Sequence, residues 1–350
     1  MAVNTTRHHA DASKSFGPFT VSPLPDATFG GRVELANGQS GARAFIETAE
    51  ADPGPLSRAL YDAEGLLFLP GMDAISDDPE FLLRLSRLFG AEVEDYSQTL
   101  IAKNMIHPSV PEIFIVSNIE PAIKLPPARP TPPLTESGEL PTQFPHRRGW
   151  HTDQSYRRPP PDVSLFYAVI PSPEGQGQTL YANGIAAYDA LSNDLKAQAQ
   201  NLIGIHVMLG AGRSEYAARA GKAPKPLEAH QQPQHQPVVR THPVTGRRAL
   251  FLCEAGQMDW VDGPFVGMVP GPDGAGAKLL YELMAHYTHP AFTYTHNWSK
   301  GDLVVYDNRS LIHAATWFDS DAYQRLMWRT TTWGNPGPDY DGEARSWIPK

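Results

Sequence analysis

The chain has 350 residues, 41% of them hydrophobic and 19% charged, with a formal net charge of −9. That length supplies a sizeable core, in one large domain or two ordinary ones, and the acidic balance argues against a general nucleic-acid or anionic-membrane binder. A single cysteine, Cys253, excludes an intrachain disulfide and a cysteine-based metal cluster. No apolar run approaches the roughly 18 residues that span a bilayer. The first residues lack the apolar centre of a secretory signal. The expected compartment is therefore cytoplasmic, and the expected partner a small molecule rather than a nucleic acid or a membrane.

In chain order, residues 1–16 read as a disordered lead-in, and residues 17–350 as one domain. Phe19 to Leu35 is strand-like, broken by Pro23, Pro25 and Gly30-Gly31. Leu56, Ala59, Leu60 and Ala63 recur at helical spacing and predict a helix that Gly65 stops. Leu66 to Leu69 predicts a buried strand, and Asp78 to Phe89 a second helix with Pro79 in its first turn. Ile113 to Ser117 predicts another strand. The proline-rich stretch 121–147 cannot form regular structure. A loop of that length beside a functional motif reads as an active-site lid. Val163 to Ile170 is an apolar strand, and Gly175 to Leu180 turns into the next. Gly184 to Gln200 reads as one helix and Ile203 to Leu209 as a strand, in which His206 is a core or sheet-surface histidine. Residues 211–237 form a loose insert rich in Ala, Gln and Pro. A hairpin turns at His242 to Gly246, a helix spans Ala275 to Tyr287, and strands follow at Phe292 to Trp298, Leu303 to Tyr306 and Arg325 to Trp333. The sum is mainly β with flanking helices. A jelly-roll-like barrel is the fold that brings such sequence-distant strands around one cavity.

The chemistry starts at Gly149-Trp150-His151-Thr152-Asp153. On an extended strand, residues two apart point to the same face, so the His151 imidazole and the Asp153 carboxylate can converge on one point. His-x-Asp alone is a weak signal. His313, just beyond the strand Leu303 to Tyr306, completes a set of two histidines and one carboxylate. That set leaves positions open on a metal, the arrangement of non-haem Fe(II) oxygenases, and it also suits catalytic zinc. Arg325 and Arg329 stand four apart and share a face of the last strand. A guanidinium grips a carboxylate through paired hydrogen bonds. One arginine can hold the distal carboxylate of a dicarboxylate cosubstrate, and the other its near carboxylate or an acidic group on the substrate.

The chain resembles the taurine dioxygenase family of Fe(II)/2-oxoglutarate-dependent oxygenases, which includes phenoxyacetate-herbicide dioxygenases. The resemblance rests on Trp150-His-Thr-Asp153, Gly177-Gln-Thr179-Leu-Tyr-Ala-Asn183, Ala187-Tyr188-Asp-Ala-Leu191, Gly301-Asp302-Leu303, Asp307-Asn308-Arg309, His313 and Arg325-Leu-Met-Trp-Arg329. It covers most of the chain. It implies a double-stranded β-helix core of the jelly-roll, cupin-like kind. It implies Fe(II) on His151, Asp153 and His313, which are then the catalytic set as well. Thr179 and Arg325 are implied to hold the far carboxylate of 2-oxoglutarate. Arg329 resembles the arginine that contacts the anionic group of taurine, and its service to cosubstrate or to substrate stays open. His107 resembles a substrate-binding histidine of the family. Arg147, Gln154 and Tyr156, beside the motif, join it as substrate-binding candidates.

The positive charge of Arg147, Arg148 and Arg329 suggests a substrate carrying a carboxylate, sulfonate or sulfate. The implied reaction consumes O2 and 2-oxoglutarate and releases succinate and CO2. It leaves a hydroxylated product, which fragments if the hydroxyl lands beside a heteroatom. Halogenating relatives have a small residue where this chain keeps Asp153, which favours oxygenation. Family resemblance is compatible with a homo-oligomer of unstated number. The long loop at 121–147 and the N-terminal extension keep the taurine assignment itself from being carried over. The rival readings are a zinc-dependent hydrolase and a non-catalytic binding protein on the same barrel.

Overall fold

In a computed structural model describing residues 13–129, 141–254 and 256–346, the apolar runs become the strands of two main sheets, with two two-stranded sheets beside them. The larger has nine strands. From one edge it runs Lys14–Phe16, Phe19–Pro23, Gly31–Leu35, Leu66–Leu69, Leu303–Asp307, Val163–Ile170 and Leu326–Trp333. Phe114–Ser117 and Glu92–Val93 both pair with the far side of Leu326–Trp333. The smaller sheet has three strands, Thr293–His296, Thr179–Asn183 and Leu311–Ala315.

Alternation along each strand sorts its side chains between two faces. Leu303, Val305, Leu165, Tyr167 and Trp328 pack outward with apolar residues of the helices Ala42–Ala51, Gly54–Asp62 and Glu80–Arg87. Val304, Tyr306, Ala168 and Met327 point inward, against Tyr181 and Leu311 of the smaller sheet and Tyr294 beside them. The outer face of the smaller sheet, with Leu180, Ala182, Ile312 and Ala314, packs with Leu280, Leu283 and Met284 of the helix Ala275–Tyr287. The protein is thus mainly β with flanking helices. Covering both faces of each sheet is the reason central strands such as Leu303–Asp307 are buried at every residue.

Several expectations are corrected. The lead-in is shorter than expected, because Lys14–Phe16 pairs antiparallel with the next strand through Lys14 opposite Val21 and Phe16 opposite Phe19; residues 1–12 lie outside the described residues. The helix expected from Gly184 to Gln200 is two helices, Gly184–Asp189 and Asn193–Ala199, since the Ser192 side chain accepts from Leu195 N and starts the second. The insert at 211–237 is partly ordered. It holds the helix Glu215–Arg219, capped by Ser214, and the strand Gln234–Pro237 pairs with Ile203–His206. Its polar composition hid two tertiary anchors, the buried Arg213–Asp259 ion pair and the buried Gln236 amide, which donates to the carbonyls of Ser155 and Arg157. No helix of the described residues is long and apolar enough to cross a membrane.

Candidate metal centre

His313 lies beyond the end of the strand Leu303–Asp307, as expected, and sits in the middle of a further strand, Leu311–Ala315. The strand Thr179–Asn183 occupies one of its edges. On the other edge, His151 and His313 exchange both backbone hydrogen bonds, 2.9 Å from His151 N to His313 O and 2.8 Å in return. Their rings are held 4.3 Å apart. This pairing lasts a single residue. Asp153 then lies in a turn rather than on a strand, so the same-face argument for His-x-Asp is corrected: tertiary contacts aim the carboxylate. Asn308 sets the turn, taking a hydrogen bond from Thr152 Oγ1 at 2.9 Å on its carbonyl and one from Asp153 N at 3.4 Å on its side chain. On the other side of the motif the buried Glu254 carboxylate accepts from Gly149 N at 2.6 Å and Trp150 N at 3.2 Å.

The candidate ligand atoms of His151, Asp153 and His313 lie within 4.8 Å of one another. His151 Nδ1 is 2.8 Å from the Gly149 carbonyl, so Nδ1 carries the proton and Nε2 keeps the lone pair. Burial lowers the pKa of His151, and burial reinforced by His151 pushes His313 down to about 3. Burial alone would raise Asp153. Arg329, His313 and His151 outweigh it and hold the carboxyl well below the usual range. Tyr306 donates to Asp153 Oδ2 at 2.7 Å, and Arg329 Nη1 is ion-paired with Oδ1. Two neutral imidazoles and one ionised carboxylate are the protonation states that metal binding requires. The donor set fits a divalent first-row ion with open positions.

A cavity of about 110 Å³ opens over this cluster, lined by His151, His313, Thr179, Tyr306, Arg325 and Arg329, with Phe166 and Phe318 on its walls. Arg325 is buried. Its Nη2 reaches only the Gly177 carbonyl, at 3.5 Å, and its Nε has no hydrogen-bond partner among the described residues. Burial lowers its pKa to about 10. Thr179 Oγ1 accepts from Trp298 Nε1 at 3.0 Å, which leaves its hydroxyl proton available to a ligand.

The other sequence candidates lie elsewhere. His107 packs edge-on against Trp328, 4.8 Å between rings, on the outward side of the large sheet, and its Nδ1 faces Ser109 and Val110 N–H groups. Gln154 is buried with a φ of 52° and donates to Glu94 at 2.8 Å. Tyr156 lines a separate cavity of about 320 Å³ with Gln98, Leu100 and Met208. Arg147 is half-buried and is not among the residues lining the cavity over the metal cluster. Arg148, expected to add charge near the mouth, is tied to Glu215 at 2.7 Å and Glu254 at 3.1 Å. A wider groove of about 640 Å³, between Pro159, Trp333 and Tyr340, contains none of the candidate ligands.

Residues 36–331 match the family described as "Taurine catabolism dioxygenase TauD, TfdA family". The chain belongs to that family. It is 34% identical over 187 residues to the alpha-ketoglutarate-dependent 2,4-dichlorophenoxyacetate dioxygenase of Cupriavidus pinatubonensis, a match that takes in 52% of this chain and 59% of that relative. It is 30% identical over 232 residues to the alpha-ketoglutarate-dependent sulfate ester dioxygenase of Pseudomonas putida, covering 62% and 72% of the two chains. Against pentalenolactone F synthase of Streptomyces arenae the identity is 28% over 327 residues, covering 88% and 93%. Among solved structures, a putative alpha-ketoglutarate-dependent taurine dioxygenase from Burkholderia xenovorans superposes with a TM-score of 0.60 at 25% identity, over 92% of this chain and 96% of the other. AAD-2 in complex with Mn(II) and N-oxalylglycine gives a TM-score of 0.59 at 25% identity, over 90% and 96%.

Within this TauD, TfdA-family chain, sequence reasoning missed Tyr306, Asn308 and Lys124. Tyr306 had a signal: on the strand Leu303–Asp307 it shares a face with Val304, opposite to Leu303 and Val305. Lys124 had one as well, being a cation at the start of the proline-rich stretch. Residues 124–127 of that stretch form one wall of the cavity, while residues 130–140 of the expected lid lie outside the described residues.

Proposed function

We propose that the chain is an Fe(II)- and 2-oxoglutarate-dependent dioxygenase that hydroxylates a small anionic organic substrate on a double-stranded β-helix barrel. The observation that carries this reading is Arg325, a buried guanidinium without a carboxylate partner among the described residues, in the same cavity as His151 and His313. A buried unpaired charge is costly, so the cavity suits an incoming carboxylate as well as a metal. Zinc hydrolysis has no use for such a group.

His151, Asp153 and His313 would hold Fe(II), and Thr179 and Arg325 the far carboxylate of 2-oxoglutarate. The bound iron would supply the dioxygen chemistry, with one oxygen atom entering the substrate and the other the succinate formed alongside CO2. The protein's own part is positional. Asn308 aims Asp153, Gly149 fixes the His151 tautomer, and Tyr306 and Arg329 keep the Asp153 carboxylate ionised and oriented. Phe166 and Phe318 add apolar walls to the cavity. The retained carboxylate at Asp153 fills the position a halide would need. The relatives named for an aryloxyacetate and a sulfate ester support an anionic substrate.

The test is succinate formation from 2-oxoglutarate by anaerobically Fe(II)-loaded protein, after admission of O2. The expected result is iron-dependent succinate that is abolished in His313→Ala. In Arg325→Met, 2-oxoglutarate affinity should fall roughly thirtyfold or more, as expected when one partner of a desolvated charge pair is truncated. Absence of both succinate and 2-oxoglutarate binding, with zinc retained and hydrolysis observed, would move the chain to the zinc-hydrolase reading.

A further inference from the structure

We infer that Glu254 is a positioning residue for the metal: its carboxylate acts through the Gly149–Trp150 peptide on the His151 ring and makes that imidazole the stronger of the two histidine donors. This rests on the metal centre of the reading above and adds a residue to it. Glu254 is not itself one of the candidate ligands.

One peptide group carries the connection. Its carbonyl, that of Gly149, lies 2.8 Å from His151 Nδ1. Its N–H, that of Trp150, donates to Glu254 Oε2 at 3.2 Å. The peptide is trans, so its N–H and C=O point in opposite directions. The carboxylate sits at one end of the amide and the imidazole at the other. Donation at one end of an amide strengthens acceptance at the other, by about 10–30% per bond. An acceptor on the ring N–H of a ligating histidine fixes its tautomer and raises its basicity. The Glu254 charge therefore reaches the His151 ring through two hydrogen bonds.

The surroundings are built for that charge. Glu254 Oε2 also accepts from Gly149 N at 2.6 Å. Consecutive N–H groups aimed at one oxygen make an anion-binding concavity, and Gly149, at a φ of 93°, has the backbone freedom the turn requires. Glu254 N donates to the Trp150 carbonyl at 2.7 Å, so backbone and side chain of Glu254 both grip residue 150. The other oxygen, Oε1, takes Arg148 Nη1 at 3.1 Å. All these side-chain partners are donors, which suits an ionised carboxylate. Burial raises the Glu254 pKa from the ordinary carboxylate value, with Arg148 and the two N–H groups opposing. The side chain is 0% exposed, so solvent screens its charge poorly. His313 is different: its Nδ1 is buried without a hydrogen-bond partner among the described residues. The two imidazoles are thus unequal, and His313 serves as an internal control.

The experiment compares the wild type with Glu254→Gln, which keeps the shape and an accepting oxygen but drops the charge. Mn(II) affinity is read by calorimetry at one pH, and the ring N–H protons by NMR of the Zn(II)-loaded protein. In the wild type the His151 Nδ1 proton should lie downfield of that of His313. Glu254→Gln should move it upfield, leave the His313 proton in place and weaken Mn(II) by about tenfold or more. Three results would overturn the assignment: a wild-type His151 proton no further downfield than that of His313, an unchanged Mn(II) affinity in Glu254→Gln, or a weakened affinity with the His151 proton unmoved. In the last case Glu254 only shapes the backbone. If Glu254→Gln does not fold, Arg148→Met decides. It keeps the carboxylate and removes its counter-charge, so the His151 proton should move further downfield, and an unmoved proton would again overturn the assignment. Wild-type protein that binds Mn(II) and N-oxalylglycine while failing these tests leaves the oxygenase reading standing. Wild-type protein that binds neither removes that reading as well.

Discussion

His206 shows what burial does to a single side chain away from the metal cluster. It is 0% exposed, and neither ring nitrogen has a hydrogen-bond partner among the described residues. Burial, reinforced by Arg240, pushes its pKa down to about 3. The unfolded chain takes up a proton near pH 6.5, and the folded chain refuses it until far lower. The resulting stability is complete above about pH 6.5 and is lost as the pH falls toward 3. His206→Phe should therefore flatten the pH dependence of the urea-unfolding free energy between about pH 6 and 4, by about 1.4 kcal/mol per pH unit. His151 and His313 are present in both proteins, so the difference isolates one ring. Parallel curves for the two proteins would contradict its buried, neutral state.

At the scale of an element, the strand Thr179–Asn183 performs two tasks from its two ends. Thr179 faces the cavity, and Asn183 starts the helix Gly184–Asp189 by accepting from Ile185 N at 2.9 Å and Ala186 N at 3.1 Å. The Asn183 amide also donates to Glu64 at 2.5 Å. The next residue has to be glycine for reasons of space: a Cβ on Gly184 would lie 2.7 Å from the Leu250 carbonyl and 2.8 Å from that of Ser310. The cap therefore sits where backbone segments from distant parts of the chain crowd together. Asn183→Ala should cost about 1–2 kcal/mol in urea unfolding, while N-oxalylglycine affinity at the other end of the strand holds. Equal stability of mutant and wild type would show that water replaces the cap.

At the scale of the whole molecule, the candidate metal position joins the two sheets. His313 belongs to the smaller sheet. Asp153 is held from the larger one by Tyr306 and Arg329 and by Asn308, which follows its strand Leu303–Asp307. Beneath them, Asp307 is buried in a network with Arg309 at 2.6 Å and His242 at 3.0 Å, so the larger sheet offers a stiff support. A ligand bound only by the folded state adds about 2.7 kcal/mol at a hundredfold excess over its Kd. Mn(II) should raise the Tm of the wild type with concentration and leave that of His313→Ala unmoved. A Tm indifferent to Mn(II) in the wild type would contradict a metal spanning the sheets.

The candidate donors, His151, Asp153 and His313, and the apolar runs that became central strands were legible in the residues, because ligand chemistry and side-chain alternation are local properties. Family resemblance added Thr179 and Arg325, and the structure brings both to the cavity that contains the histidines. Other features depend on which distant segments meet. No local rule says that Asp153 lies in a turn held by Asn308, that Arg329 reaches its carboxylate, that Arg148 is spent on Glu215 and Glu254, or that His107 faces outward. The polar insert at 211–237 read as loose for the same reason, since the contacts that order it lie at Asp259, Ser155 and Arg157. The sequence by itself determined which atoms could bind a metal and which strands could form a core. Only the tertiary structure decided which charges were already paired within the protein and which, at Arg325 and Lys124, still face the cavity, because pairing is a property of distance in space and not of spacing along the chain.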